Sequence, residues 1–366
     1  MLQAPFPWFG GKSRVAPQVW RAFGDVTNYV EPFFGSGAVL LGRPDGWTGT
    51  ETVNDLDGYV GNFWRALQAD PDTVAEYADW PVNENDQHAR HLWLIRQRDT
   101  LTARLCGDPA FYDAKIAGWW VWGICCWIGG GWCSGNGPWS VDDAGQLVHL
   151  GNPGQGVNRQ LVHLGDAGRG VNRQLVHLGD AGQGVSRQLV HLGSSGQGVN
   201  RKRVHLGDAG QGVNAGLVEW MRALADRLRH VRVCCGDWTR VCGPTPTVKL
   251  GLTGVFLDPP YSDDADRRDD LYRTDSGDVA HAVREWAVER GDDPRIRIVF
   301  CGYDGEHAMP DGWRSQAWKA RGGYGSQGDG RGRTNAAREV LWFSPHCIPV
   351  ERPWILAQAE AEEAAP

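Results

Sequence analysis

Gly254-Val255-Phe256-Leu257-Asp258-Pro259-Pro260-Tyr261 is a short apolar run that stops at an acid, two prolines and a tyrosine. The run reads as a buried strand. Proline cannot continue a hydrogen-bonded ladder, so the chain must turn at Pro259 and Pro260. Asp258 and Tyr261 then stand at the carboxyl end of a strand, where open α/β sheets bind their ligands.

Three stretches upstream fit the same kind of sheet. Pro7-Trp8-Phe9-Gly10-Gly11-Lys12-Ser13 puts two glycines before a lysine, which allows close backbone approach to a ligand. It lacks the first glycine of a Walker phosphate loop. Tyr29-Val30-Glu31-Pro32-Phe33-Phe34-Gly35-Ser36-Gly37-Ala38-Val39-Leu40 reads as a strand, a Gly-x-Gly turn and an apolar helix start. That is the first βα turn of a Rossmann-like sheet, without the third glycine of a dinucleotide site. Thr52-Val53-Asn54-Asp55-Leu56-Asp57 ends a second strand about twenty residues after the glycine turn. An acid there commonly accepts hydrogen bonds from ribose hydroxyls, with Asp57 the nearby competitor; an acid capping the helix from Tyr59 to Leu67 is the other use.

The tetrapeptide Asp258-Pro259-Pro260-Tyr261 resembles the Asp-Pro-Pro-Tyr motif of amino-group DNA methyltransferases, and the Gly-Gly-Lys and Glu-Pro-Phe-x-Gly-x-Gly strings resemble cofactor motifs of the D12 class, the adenine-N6 family that includes the Dam enzymes. The motifs occur in that family's order. The resemblance covers about residues 1 to 68 and 216 to 345. It implies a Rossmann-like α/β sheet that binds S-adenosylmethionine and carries an inserted target-recognition domain. In the family, the acid and the first proline's carbonyl accept from the exocyclic amine of a flipped base, and the tyrosine stacks on it. That implies Asp258, Pro259 and Tyr261 as catalytic residues. Trp8, Gly11, Lys12, Glu31, Phe33, Gly35, Gly37, Asp55 and Asp258 would hold the cofactor, and Asp237 would face its adenine. The chemistry suits these residue types. An aromatic amine is a poor nucleophile because its lone pair is delocalised. Two acceptors on its hydrogens favour a pyramidal nitrogen and stabilise the positive charge that develops there.

Between the two pieces the pattern changes. Pro71 to Leu105 reads as helices broken at Pro81 and Asn83. Phe111 to Ile128 reads as a Trp-rich helix, a composition that favours core over a base-stacking surface. A repeat of fourteen residues then follows. Gln146-Leu147-Val148-His149-Leu150-Gly151 restarts at Gln160, Gln174, Gln188 and Lys202, with His149, His163, His177, His191 and His205 in register. Seven Lys or Arg against three Asp between Gln146 and Ala215 leave a local excess of four positive charges. The repeat is therefore either a basic surface for nucleic acid or an exposed insertion. The domain expectation is residues 1–68 as the first catalytic part, 69–215 as the recognition insert, with the repeat at 146–215, 216–356 as the second catalytic part, and 357–366 as a disordered acidic tail. Leu217 to Arg229 reads as an amphipathic helix, and Val231 to Trp238 as a strand ending at Asp237. Ser262 to Asp278 reads as a mobile loop, and Arg297–Tyr303 and Glu339–Ser344 as late strands.

Composition bounds the rest. The chain has 366 residues, 41% hydrophobic and 22% charged, with 19 Trp and 50 Gly. A net charge of -7 excludes a uniformly basic nucleic-acid binder, so any DNA-binding face is local. Nine Cys without zinc or disulfide spacing suggest buried, reduced thiols, and the expected chemistry requires no metal. With no signal pattern and no span long enough for a bilayer, the expectation is a soluble, cytoplasmic enzyme acting on double-stranded DNA without a membrane. Its oligomeric state is left open, with a monomer expected. Two alternatives stand beside adenine methylation: the same chemistry on cytosine N4 or on RNA, and a non-catalytic DNA-binding protein that retains the fold. Asp rather than Ser at position 258 favours adenine.

Overall fold

The computed structural model describes residues 2–8, 11–127, 132–133, 139–141, 147–149, 213–260, 277–318 and 338–350. Almost all of the 14-residue repeat lies outside these, as do Tyr261, most of the segment expected to form a loop after it, and the acidic tail.

The chain runs α1 (Ala16–Phe23), β1 (Asn28–Glu31), α2 (Ala38–Leu41), β2 (Thr50–Asp55), α3 (Gly58–Ala69), α4 (Pro71–Ala78), α5 (Glu84–Gly107) and α6 (Ala114–Cys126). An antiparallel pair follows, β3 (Trp139–Val141) and β4 (Leu147–His149). Then come α7 (Val213–Leu228), β5 (Val231–Cys235), α8 (Thr239–Cys242), β6 (Thr253–Leu257), α9 (Gly277–Arg290), β7 (Ile296–Tyr303), β8 (Arg314–Ala317) and β9 (Glu339–Phe343).

Seven strands form one sheet in the order β5-β2-β1-β6-β7-β9-β8. The first five are parallel, and β9 is antiparallel to both its neighbours. The chain fills the sheet outward from β1 through β2 to β5, then restarts on the other side of β1 with β6 and β7. The crevice at such a reversal is where doubly wound sheets hold ligands. This mixed α/β architecture is consistent with a methyltransferase fold.

Residue alternation explains why the sheet is covered on both faces. Tyr29, Phe256, Val299, Cys301, Leu341 and Phe343 enter one apolar cluster, which holds residues of α1 and α3 to α7. Val30, Val255, Leu257, Ile298, Phe300, Val340 and Trp342 enter a second, with residues of α8 and α9. Parallel strands buried on both faces read as continuous apolar runs, which is what β6 shows.

Local sequence sets the helix boundaries. Asp70 caps α4 by accepting from the Thr73 N–H, with Pro71 in the first turn, and Asn83 caps α5 through the Asp86 N–H. Asp113 caps α6 through the Ile116 N–H. The Trp-rich stretch is core: Trp120, Trp122 and Trp127 are buried and Trp119 is half-buried. Val74, Leu94 and Trp120 share one cluster with Phe63 of α3, Leu224 of α7 and Phe256 of β6, so the described helices after residue 69 pack onto the sheet's own core. Among the described residues, no helix is long and apolar enough to cross a membrane.

Candidate active site

Four neighbouring strands each end in an acid. β1 ends in Glu31 and β2 in Asp55; Asp237 follows β5 by two residues, and Asp258 directly follows β6. Their carboxylates converge on one cleft, which Trp8, Gly11 and Lys12 also line. It encloses about 940 Å³ of empty space, open solvent at its mouth included. Small-molecule sites fall within about 300–1,000 Å³.

The glycine turn forms the floor. Gly35 and Gly37 have φ of +47° and +68°, the left-handed region that favours glycine. A Cβ on Gly35 would stand 2.4 Å from Trp8 Nε1, so the indole lies directly against the turn. Gly37 caps α2 and sits behind the cleft lining rather than in it. Asp55 ties the turn to β2: its Oδ2 accepts from the Gly35 N–H at 2.9 Å, and its Oδ1 from the Asp57 N–H at 2.8 Å. Asp57 in turn caps α3 through the Tyr59 N–H at 2.8 Å. Asp57 is therefore the helix cap, and both Asp55 and Asp57 line the cleft. Asn54 straps two loops together, its Nδ2 donating to the carbonyls of Pro32 at 3.1 Å and Gly236 at 2.8 Å.

Lys12 stands at the other end, almost fully buried. Its Nζ lies 3.0 Å from Asp258 Oδ1 and 3.6 Å from Glu339 Oε2. Burial alone would push its pKa down; Asp258 and Glu339 overcome that and hold it raised, so Lys12 is a cation. Glu31 behaves in the opposite way. Burial pushes its carboxyl well above the usual range, against the hydrogen bond it accepts from the Tyr29 hydroxyl at 2.7 Å, and nearby Asp258 and Asp55 raise it further. Glu31 is therefore harder to ionise than an ordinary carboxylate.

The far end is aromatic. The rings of Phe33 and Trp238 stand 6.4 Å apart at an interplanar angle of 31°. Beside them Asp237 Oδ1 accepts from the Thr239 N–H at 2.9 Å and from the Thr239 hydroxyl. Pro259 is buried and Pro260 lines the cleft; Tyr261 is outside the described residues. Reasoning from sequence missed Trp238, Asn54, Phe256 and Val279 in the lining and Glu339 behind Lys12. A lone Trp and a strand-starting Glu carry no spacing signal. The Asn54 strap was in view only as a neighbour of Asp55.

A cleft with an aromatic end, an acid beside a backbone-tight glycine turn, and a concentration of carboxylates suits a nucleoside that carries positive charge. The fold and the cleft together define a doubly wound α/β protein with a ligand cleft at the carboxyl ends of its parallel strands, an architecture consistent with a methyltransferase fold. Residues 8–97, which include Trp8, Lys12, Glu31, Gly35 and Asp55, match the family model of the D12 class N6 adenine-specific DNA methyltransferases, and the match supports an adenine-specific DNA methyltransferase. The family implies S-adenosylmethionine as methyl donor and DNA as substrate. No curated protein matches the chain.

Proposed function

We propose that this chain transfers a methyl group from S-adenosylmethionine to the N6 amine of an adenine flipped out of duplex DNA. The observation that carries the reading is Asp258, held at the carboxyl end of β6 by Lys12 and facing the cleft beside the Gly35 turn. Bound S-adenosylmethionine supplies an activated methyl group on a positively charged sulfur. Phe33 and Trp238 flank the adenine of the cofactor, with Asp237 taking its amine. Asp55 accepts from the ribose while keeping its bonds to Gly35 and Asp57. Trp8, Gly11, Glu31 and Gly35 shape the wall near the methionine part, and Gly37 sets the turn behind it. Lys12 reaches the catalytic acid as well as this wall.

Extrahelical presentation of the base is needed because its amine is inaccessible within the stack. Asp258 and the Pro259 carbonyl then accept the amine's hydrogens and aim its lone pair, and Tyr261 stacks on the ring. Fixed acceptors of this kind act on the transition state, because they are aimed at charge that appears only there. The segment 69–215, with its repeat, occupies the place of the target-recognition insert.

The test is direct. Duplex DNA and, in a parallel reaction, RNA are incubated with the protein and labelled S-adenosylmethionine, then digested to nucleosides; the DNA should yield N6-methyl-2′-deoxyadenosine. Label in N4-methyl-2′-deoxycytidine would move the reading to the other amino base, and label in the RNA reaction alone would move it to the other nucleic acid. DNA binding with no label in any nucleoside would overturn the enzyme reading.

A further inference from the structure

We propose that Glu339 is a positioning residue for this reaction, acting through Lys12 to fix the carboxylate of Asp258. The inference rests on the function proposed above. No motif marks Glu339. It is the first residue of β9, and because β9 runs antiparallel to β7, Glu339 pairs with Tyr303, the last residue of β7. An antiparallel strand therefore begins where the parallel strands finish, which brings Glu339 to the ligand end of the sheet. It is 3% exposed, and Lys12 is 4% exposed. The ammonium lies between two carboxylates, 3.0 Å from Asp258 and 3.6 Å from Glu339. Trp318 closes the arrangement: its backbone N–H donates to the Glu339 carbonyl at 2.9 Å, and its ring lies 5.6 Å from Nζ.

The second carboxylate changes what the first can do. A lysine paired with Asp258 alone would make a neutral unit and draw charge away from the substrate amine. With Glu339 sharing the ammonium, the three groups carry one net negative charge. Lys12 fixes Oδ1 of Asp258, and Oδ2 takes the hydrogen of the amine. As the amine lone pair forms the N–C bond and the C–S pair withdraws to sulfur, positive charge appears on nitrogen until a proton leaves for solvent. A fixed negative charge held at a buried ion pair offsets part of the cost of that charge. Glu339 meets neither substrate, so its removal acts on turnover rather than on binding.

Glu339→Gln keeps shape and removes the charge. It should lower kcat about 10–100-fold while leaving KM for S-adenosylmethionine and for DNA within about threefold, the pattern of an interaction used only in the transition state. Glu339→Asp restores the charge at a slightly shorter reach and should recover at least half of that loss on a logarithmic scale. A Gln variant within twofold of wild-type kcat would overturn the role, as would Asp and Gln variants equally impaired, or a KM rise that accounts for the whole effect. If the Gln variant does not fold, Glu339→Ala decides in its place: reduced kcat with near-wild-type KM supports the role, and kcat within twofold of wild type overturns it. The wild-type control separates the two levels, because a wild type that methylates no adenine overturns the function itself and not Glu339 alone.

Discussion

Lys12 and Arg90 are both buried cations, and their surroundings push them in opposite directions. Lys12 faces two carboxylates, which hold its proton more tightly than water would. Arg90 of α5 lies among the rings of Trp122, Trp80 and Trp119, with its guanidinium carbon 4.3, 5.1 and 5.1 Å from their centroids. Its Nη1 has no hydrogen-bond partner among the described residues, and burial lowers its pKa against the pull of Asp86 and Cys126. Next to it His91 is packed the same way, 4.5 Å from Trp132 and 4.8 Å from Trp127, and burial, helped by His88, lowers its pKa to about 3. Aromatic faces accept a cation at modest energy and leave it inert. Opposed carboxylates on an open cleft set up a field that a substrate can use. The Arg90 region is packing and the Lys12 region lines a cleft, although both look like buried charge.

The sharpest break of this comparison is a matched pair of variants. Lys12→Met leaves Asp258 and Glu339 facing each other without a cation and should cost about 3–5 kcal/mol of folding stability, the range for breaking a buried pair. Arg90→Met loses only its aromatic contacts and sheds a buried charge, so it should cost about 2 kcal/mol or less. Urea midpoints measure both, and equal losses would erase the distinction.

A pH series sharpens the packing side. His91 stays neutral when folded and titrates normally when unfolded, so the unfolded state binds the extra proton between about pH 6.5 and 3. Stability should therefore be full above that window and fall as pH drops through it, by up to about 1.4 kcal/mol per unit. His91→Gln should flatten the fall between pH 6.5 and 4.5, and an unaltered slope would remove His91 as its cause.

On the chemistry side, Asp55→Ala should weaken S-adenosylmethionine binding by about 1.5–3 kcal/mol, the scale of charge-assisted hydrogen bonds. Calorimetry giving an unchanged affinity would leave Asp55 only its bonds to Gly35 and Asp57. The smallest effect is expected from deleting two repeat units, Gln160 to Arg187. The methylated sequence should stay the same, while the salt dependence of DNA binding becomes shallower by about one to two units of slope if the unit-closing arginines meet phosphate. Methylation mapping with a salt titration distinguishes a basic surface from an exposed insertion.

The cleft was legible where the chain changes period abruptly. Glycines at Gly35 and Gly37 and prolines at Pro259 and Pro260 stop strands, and the acids beside them end up on one edge because parallel strands all finish there. The strands around those motifs were legible for the same reason. Glu339 was not, because its position depends on β9 running backwards, which local sequence does not encode. Nor was the Phe33–Trp238 pair, formed by residues about two hundred apart that the β1–β2 and β2–β5 pairings bring together. Asp55 and Asp57 could not be told apart by type, since both suit a cap and both suit a ribose. Backbone direction at the end of β2 makes Asp57 the cap of α3 and turns Asp55 onto the Gly35 N–H.

The central claim is that Asp258 acts on the substrate amine rather than merely neutralising Lys12. Single-turnover methyl transfer and calorimetric binding of S-adenosylmethionine, measured on wild type and on Asp258→Ala, test it together. The account predicts a rate lower by at least about 10²–10³-fold, the scale of one lost transition-state contact, with cofactor affinity within about threefold. Methyl transfer within about tenfold of wild type by the variant would contradict it.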